Sequence, residues 1–573
     1  MLLQSARLSI NGEAIEIIPG KTHFSDALYA QLSNVESINQ GQTVQLEIHP
    51  KEPVRLDYVR LQFSHPFESK QSIFCNGYQS WTESREYQTD EKILGLRKIA
   101  HRLMLPYGDY GFYDYPEQPG KFHSWTYGYI RQAQDQLLLV GSLNEKTGFT
   151  RFEFDVQEHQ IIAEKDCAGQ WLAHSFPALS LFWATGTDDA CFDNWFKTLD
   201  IQPRTQQPAI GWTSWYNYYT NISETIILDN LKAFQDNDRT IDYFQIDDGY
   251  QTAVGDWLSI KPDFPNGMAP IAQAIHDADV QAGIWLAPFV CEKESALFKN
   301  QPDWVLKDAN GHPVKAGYTP LWSGHFYALD FYQPEVQKYL TDVFTTVFER
   351  WNYDLVKLDF LYAVALQPPR NKNRGQVMYE AMEFLERCCK GKKILACGVP
   401  LGSTFGMVDY CRIGADIHLK WEHRLLAFLR NRERVSTKLA LTNSLSRRHL
   451  DGRAFMNDPD VFILRKQKHK LPYELQQTIA LINAISGSLV FTSDYAGDYD
   501  PEQWSEWEAV KHWQAGKIEW VEQQGPLYRV YFSKDQMNYC LLANLNPKQS
   551  IITQPVSLEL AAFESLIVKI KKG

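Results

Sequence analysis

Leu355-Val-Lys-Leu-Asp-Phe360, preceded by Tyr353-Asp354, is a short apolar run interrupted by one cation and one carboxylate. Its length suits a buried β-strand, and the two-residue side-chain period puts Lys357 and Asp359 on the same face. A lysine and an aspartate facing inward are costly to bury unless they pair or do chemistry. If the strand belongs to a parallel barrel, its C-terminal end opens into the functional mouth, and Asp359 lies there. Two readings stand side by side: a structural ion pair, and a nucleophilic Asp359.

On either side of this stretch, strand-like runs alternate with helical segments, as parallel βα units require. The expected strands are Ala209–Trp215, Ile241–Asp247, Gln281–Pro288, Leu355–Asp359, Lys393–Cys397, Tyr410–Asp416, Arg453–Asp458 and Ser488–Asp494. Between them lie amphipathic stretches such as Ser223–Phe234, with Ser223 as N-cap, and Pro334–Trp351, with proline at the helix start. Eight such strands fit one (β/α)8 TIM barrel over 204–503, with a doubly wound sheet as the alternative. Residues 290–333 are too many for an ordinary loop. Asp308-Ala-Asn-Gly-His312 reads there as a hairpin turn, so an inserted β-hairpin is expected over the barrel mouth.

The flanks read differently. Residues 1–203 carry short alternating runs, among them Thr43–Ile48, Leu56–Phe63, Gln136–Leu143 and Phe152–Val156, with little helical periodicity. An N-terminal β-sandwich is expected, with a tight turn at Asn76-Gly77 leading to Trp81. From 504 to 573 the runs Leu527–Phe532, Tyr539–Asn544, Val556–Leu560 and Ser565–Ile570 point to a small C-terminal antiparallel β-domain.

With a net charge of −12, the chain is a poor match for nucleic acid or an anionic membrane. Its nine cysteines are scattered, without Cys-x-x-Cys spacing, so neither disulfides nor a structural zinc are expected. No metal and no cofactor are expected. The first residues, Met1-Leu-Leu-Gln-Ser-Ala-Arg-Leu-Ser-Ile10, alternate like a first strand rather than a secretion signal, and no apolar run is long enough to span a bilayer. A cytoplasmic protein is the expectation, in which the Asn221-Ile-Ser223 sequon goes unused.

Function is suggested by what ends each strand. The second ends Gln245-Ile-Asp247-Asp248-Gly249, the third carries Trp285 and the fourth Lys357 and Asp359. The fifth ends at Cys397-Gly398, the sixth runs Arg412-Ile-Gly-Ala-Asp416, the seventh ends Asn457-Asp458-Pro-Asp460 and the eighth Ser493-Asp494. In a barrel these polar groups converge on one mouth. Several carboxylates and a tryptophan, without a metal-ligand cluster, favour glycoside hydrolysis over metal-assisted hydrolysis. Asp247 and Asp248 face opposite ways on a strand unless the chain turns, which Gly249 permits. Glu292 and Glu294 read as a solvated cluster, with Glu292 a reserve acid, and His418 as structural.

Taken in order, Gly211-Trp-Thr-Ser-Trp215, Phe244-Gln-Ile-Asp-Asp-Gly-Tyr250, Phe264-Pro-Asn-Gly267, Gly283-Ile-Trp-Leu-Ala-Pro288, Val356-Lys-Leu-Asp359 and Arg412-Ile-Gly-Ala-Asp416 form a specific set. The barrel resembles the retaining α-galactosidases of glycoside hydrolase family 36, which share a clan with family 27. The resemblance implies that Asp359 is the nucleophile and Asp416 the general acid/base. It implies that Asp247 and Asp248 bind the C4 and C6 hydroxyls of galactose and that Trp285 forms an aromatic wall. Lys357, Cys397, Arg412, Tyr216 and Trp81 then line the sugar pocket, Trp81 reaching in from the N-terminal domain. Lys357 and Arg412 are expected to keep Asp359 ionised, and Asp416 to sit where its pKa is raised.

Larger family members carry a glycine-rich stretch ending Arg-Phe-Asp after the fifth strand. Here the loop reads Cys397-Gly-Val-Pro-Leu-Gly-Ser-Thr-Phe-Gly406, closer to the shorter, compact branch. Because that loop adjoins the sugar's C2 group, an α-N-acetylgalactosaminidase is one alternative. An α-galactosyl transglycosylase and a catalytically inactive sugar-binding protein are the others. The implied partners are small galactosides such as melibiose or raffinose-type oligosaccharides, and a homo-oligomer is compatible with the family.

Overall fold

The structure is a computed structural model and describes residues 1–167, 169–553 and 558–570. All eight expected barrel strands form: Ala209–Thr213, Tyr243–Ile246, Gln281–Leu286, Leu355–Leu358, Lys393–Ala396, Tyr410–Arg412, a split seventh and Leu489–Thr492. Neighbours pair in parallel throughout, and the eighth returns to the first through Ala209 opposite Leu489. The seventh strand closes the ring in two pieces. Met456–Asp458 pairs with the sixth strand, and Val461–Phe462 pairs with the eighth. Between them stand Pro459, which has no N–H to give a ladder, and Asp460, with φ at 88°. The strand order is that of a barrel and not of a doubly wound sheet.

Helices follow most strands. Glu224–Asp236 starts where expected, with the Ser223 hydroxyl accepting the Ile226 N–H at 3.3 Å. The fifth crossover is the exception: between Lys393–Ala396 and Tyr410–Arg412 the described residues form only a 3-10 turn, Leu401–Thr404. The N-terminal domain docks against this loop. Ser80 donates its backbone N–H to the Val399 carbonyl at 2.9 Å, and its hydroxyl accepts the Gly398 N–H at 3.0 Å. Gly398 has φ at 59°, and a Cβ there would lie 2.8 Å from the Trp81 ring, so only glycine allows the approach.

The N-terminal domain consists of two antiparallel sheets, of seven and nine strands among the described residues. They share one core, in which Leu8, Leu61 and Phe154 of one sheet meet Leu46, Ile130 and Leu181 of the other. The region is not purely β. Asp188–Leu199, capped by Thr187, is an amphipathic helix whose buried Phe192, Trp195 and Phe196 join the barrel's core.

The insertion forms a three-stranded antiparallel sheet, Val290–Glu292, Lys315–Thr319 and Gly324–Ala328. Its strands Lys315–Thr319 and Gly324–Ala328 turn at 320–323, and Asp308–His312 makes a second, shorter reversal flanked by an antiparallel bridge between Lys307 and Pro313. In that reversal the Asp308 N–H donates to the His312 carbonyl at 2.8 Å. The turn chemistry of Asp308 and Gly311 marks this shorter reversal as expected, and the longer hairpin at 320–323 is a second one.

At the C-terminus, helix Pro501–Trp513 precedes a four-stranded sheet of Lys517–Gln524, Leu527–Lys534, Met537–Asn544 and Ser565–Ile570. The expected strand Val556–Leu560 lies partly outside the described residues; its end, Glu559–Leu560, pairs with Ile551–Ile552.

Candidate active site

A cavity of about 540 Å³ opens at the C-terminal ends of the barrel strands. Eight of the ten residues singled out from sequence line it: Asp247, Asp248, Trp285, Lys357, Asp359, Asp416, Tyr216 and Trp81.

Asp359 follows directly on its strand and is fixed from two sides. The Phe360 N–H donates to Oδ1 at 2.8 Å and the Trp285 indole to Oδ2 at 3.2 Å. Phe360 adopts a left-handed φ of 53°, costly for a bulky residue. Its ring is held within about 5 Å of those of Trp81, Trp322 and Phe326, which fixes the turn. Burial pushes the Asp359 carboxyl up, Lys357 pulls it back and Asp416 pushes it up again.

Lys357 does not form the ion pair with Asp359 that their shared face suggests. Its ammonium binds Asp247 Oδ2 at 2.8 Å. Burial disfavours the charged lysine, but Asp247 and then Asp359 outweigh it and raise its pKa. Asp247 also accepts from Gln245 at 3.2 Å. The chain turns at Gly249, with φ at 126°, where a Cβ would meet the Thr220 carbonyl at 2.8 Å. The turn brings both carboxylates to the cavity. Asp248 accepts the Trp322 indole N–H at 2.8 Å and the Gln251 amide at 2.6 Å. Burial pushes its carboxyl up to about 6, with those two donors opposing.

Two expected lining residues stand behind the wall. Cys397 is buried, and its sulfur accepts the Trp81 indole N–H at 3.2 Å, so it positions the ring instead of meeting ligand. Arg412 is consumed by carboxylates: Asp416 at 2.7 Å, Asp460 at 2.9 Å and Asp458 at 3.0 Å. It therefore grips Asp416 and not Asp359, so the acid/base candidate has a cation beside it where surroundings that raise its pKa were expected. Tyr216 donates its hydroxyl to Asp460. Burial pushes Asp460 up to about 7; Arg412 opposes this, and Asp416 and Asp458 add to it.

Glu292 is neither solvated nor an acid candidate. It is buried, takes the Val254 and Ser323 N–H groups at 2.9 and 2.7 Å, and ties the insertion to the barrel. His418 lines the cavity with its ring stacked on that of His423, their centroids 5.3 Å apart. Sequence reading passed over Trp322, which sits in the hairpin turn, and Glu433. The Glu433 carboxylate accepts from Thr82 at 2.8 Å and Tyr110 at 2.7 Å, and burial pushes it up to about 7. A tryptophan inside a Thr-Pro-x-Trp-Ser-Gly turn was the available signal for the first; nothing local marks the second. Among the described residues no group of His, Cys, Asp or Glu is arranged to hold a metal ion.

The melibiase family model matches residues 189–383, a segment that contains Asp247, Asp248, Trp285, Lys357 and Asp359. α-Galactosidase 2 of Pediococcus pentosaceus is 28% identical over 28% of this chain and 23% of its own length. The α-galactosidase of Escherichia coli is 29% identical over 21% of this chain and 17% of its own length. The sequence matches thus span about a fifth of those relatives. The structural likeness is far more extensive. The α-galactosidase of Thermus thermophilus, solved with p-nitrophenyl α-D-galactopyranoside, superposes with a TM-score of 0.70 at 27% identity, covering 93% of this chain and 98% of that one. The enzyme AgaA of Geobacillus stearothermophilus, at 12% identity and a TM-score of 0.61 over 98% of this chain and 83% of its own, shares the fold. The ordered strand-end motifs, the family match over residues 189–383 and the whole-chain superposition agree in making this chain similar to the melibiases and α-galactosidases.

Proposed function

We propose that the chain is a retaining, exo-acting α-galactosidase. The observation that carries this reading is that Asp359 and Asp416 line one cavity together with the acceptors Asp247 and Asp248. Asp359, held by the Trp285 indole and the Phe360 N–H, attacks the anomeric carbon while Asp416 gives its proton to the departing oxygen. Water, deprotonated by Asp416, then hydrolyses the glycosyl–Asp359 ester. Two inversions leave the α-configuration unchanged.

The Lys357 ammonium pairs with Asp247, whose carboxylate offers an acceptor for a sugar hydroxyl, and Asp248 stands next to it. An axial C4 hydroxyl that satisfies this buried pair separates galactose from glucose, because the epimer leaves an acceptor without a donor. The relatives solved with stachyose and raffinose make galactosyl oligosaccharides natural candidates as substrates. Initial rates on p-nitrophenyl α-galactoside, α-N-acetylgalactosaminide and α-glucoside test the reading. Turnover of the galactoside that vanishes in Asp359→Ala supports it. Preference for the N-acetyl sugar transfers the mechanism to an α-N-acetylgalactosaminidase, and galactose binding without turnover of any substrate returns it to a sugar-binding protein.

A further inference from the structure

The rim of the cavity is apolar and exposed, which is unusual for a protein of net charge −12. Two helical segments build most of it: 98–107, which includes helix His101–Met104, and Arg424–Phe428. They abut, the Arg97 N–H bonding the Leu429 carbonyl at 3.1 Å and the Arg97 guanidinium lying 4.4 Å above the Phe428 ring. Ile99 is 82% exposed, and Leu425 and Phe428 are each 61% exposed. Across the mouth the insertion's turn adds Leu321, also exposed. Leu103, Met104, Leu321 and Leu426 belong to the cavity wall as well, so ridge and cavity form one continuous surface.

Position identifies the occupant. Asp416, His418 and Leu426 lie on the same stretch of chain after the sixth strand and face the same cavity. Whatever is attached to the oxygen that Asp416 protonates must leave along this stretch. Several polar groups there are held by the protein itself. The Arg434 guanidinium is bound to Glu422 at 2.9 and 3.1 Å, His423 accepts the Leu426 N–H at 3.3 Å, and Asn431 accepts the Glu433 N–H at 2.8 Å. A second copy of the chain is a poor fit, because Arg97, Lys98, Arg102, Lys420 and Arg424 form no ion pair among the described residues and would be crowded together in a self-paired ridge.

We propose that this ridge is an aglycone site for α-galactosides carried on an apolar chain, so that the preferred substrate class is an amphiphilic galactoside and not a galactosyl oligosaccharide. The inference rests on the α-galactosidase reading. Burying apolar chain on the ridge binds ground state and transition state alike, so it lowers KM and leaves kcat unchanged.

Methyl and octyl α-D-galactopyranoside test it, since both release a simple alkyl alcohol and differ only in the length of the apolar chain. Below the micelle-forming concentration of the octyl compound, kcat/KM for octyl is expected to exceed that for methyl by at least tenfold, through KM. In Leu103→Ser/Leu426→Ser the ratio is expected to fall to within about twofold of one. A wild-type ratio near one overturns the proposal. So does light scattering that shows a dimer which the double variant dissolves, for the ridge is then an interface between copies. If neither galactoside nor the p-nitrophenyl compound is hydrolysed, the activity reading fails, and calorimetry of octyl against methyl galactoside binding still decides the ridge: equal affinities overturn it and tighter octyl binding upholds it.

Discussion

Arg412 donates to Asp416 at 2.7 Å while its other nitrogens bind Asp458 and Asp460, so one buried cation serves three carboxylates. Asp416 is the partly exposed member, with its side chain 33% accessible, and the other two are sealed. This arrangement fixes the direction in which Asp416 points into the cavity without filling the space in front of it.

Replacing Asp416 therefore separates leaving groups. Asp416→Asn keeps the contact with Arg412 but cannot transfer a proton. Its kcat/KM on methyl α-galactoside is expected to drop by about 10²–10⁴, the usual worth of general acid catalysis. On p-nitrophenyl α-galactoside, whose phenolate leaves unaided, the loss in kcat/KM is expected to be at least tenfold smaller. Equal losses on the two substrates would remove Asp416 from the acid role.

Asp248 is a carboxylate that is costly to bury. Its carboxyl is raised to about 6 by burial, against 3.8 for a free aspartate, so in acid the folded state binds its proton more readily than the unfolded chain does. Folding is thus unaffected by this group below pH 3.8, is weakened as pH rises from 3.8 to 6, and bears the full penalty above 6. That penalty is at most about 3 kcal/mol. Asp248→Asn is expected to raise Tm at pH 8 relative to the wild type and to lose that advantage at pH 4, while kcat/KM falls. Thermal unfolding at the two pH values checks it; a variant less stable at pH 8 would show that the Trp322 and Gln251 bonds outweigh burial.

The same group gives the activity a pH dependence. Protonation leaves a poorer acceptor, so galactose affinity is expected to weaken as pH falls through about 6, with about half a proton released on binding at that pH and up to one below it. Calorimetry in buffers of different ionisation enthalpy reads this proton directly. Binding that is pH-independent between 5 and 7 would place the sugar away from Asp248.

Arg447 holds the N-terminal domain's contribution in place. It is fully buried and donates to Asn76 at 2.9 Å, Gln79 at 3.1 Å and Ile413 at 2.8 Å, as well as to the Ser80 carbonyl, thereby joining the Trp81 loop to the barrel. All of these acceptors are neutral, and burial lowers its pKa to about 10. Arg447→Met leaves the Asn76, Ser80 and Ile413 oxygens without that donor, each orphaned acceptor costing about 1–3 kcal/mol, while the Gln79 carbonyl keeps the Thr82 N–H at 3.0 Å. A lowered Tm and a raised KM for galactosides are expected together. A raised KM in Trp81→Phe with unchanged Tm would assign the KM effect to the ring itself.

The parts of this molecule legible in sequence are those that local chemistry determines. Each barrel strand is an apolar run of a few residues between amphipathic helices, and Asp247, Asp359 and Asp416 announce themselves by ending such runs. What stayed hidden depends on contacts across the fold. Period two puts Lys357 and Asp359 on one face, but only the barrel's curvature makes Asp247 the nearer partner of the lysine. Cys397 ends its strand like a site residue, yet the missing fifth helix lets Trp81 in and sets the sulfur behind it. Trp322 and Glu433 lie on loops whose course is set by docking to the N-terminal domain and the insertion, and no periodicity marks them. The helix Asp188–Leu199 was hidden by the strands before it.

The most direct experiment is to trap the intermediate. A 2-deoxy-2-fluoro-α-galactosyl donor with a good leaving group slows the hydrolysis step more than the attack, so the glycosyl ester accumulates; peptide mass spectrometry then locates it. The predicted result is a single modified peptide that carries the sugar on Asp359, with no label in Asp359→Ala. A label on Asp416 or on any other side chain, or inactivation with no covalent adduct, would contradict double displacement at Asp359.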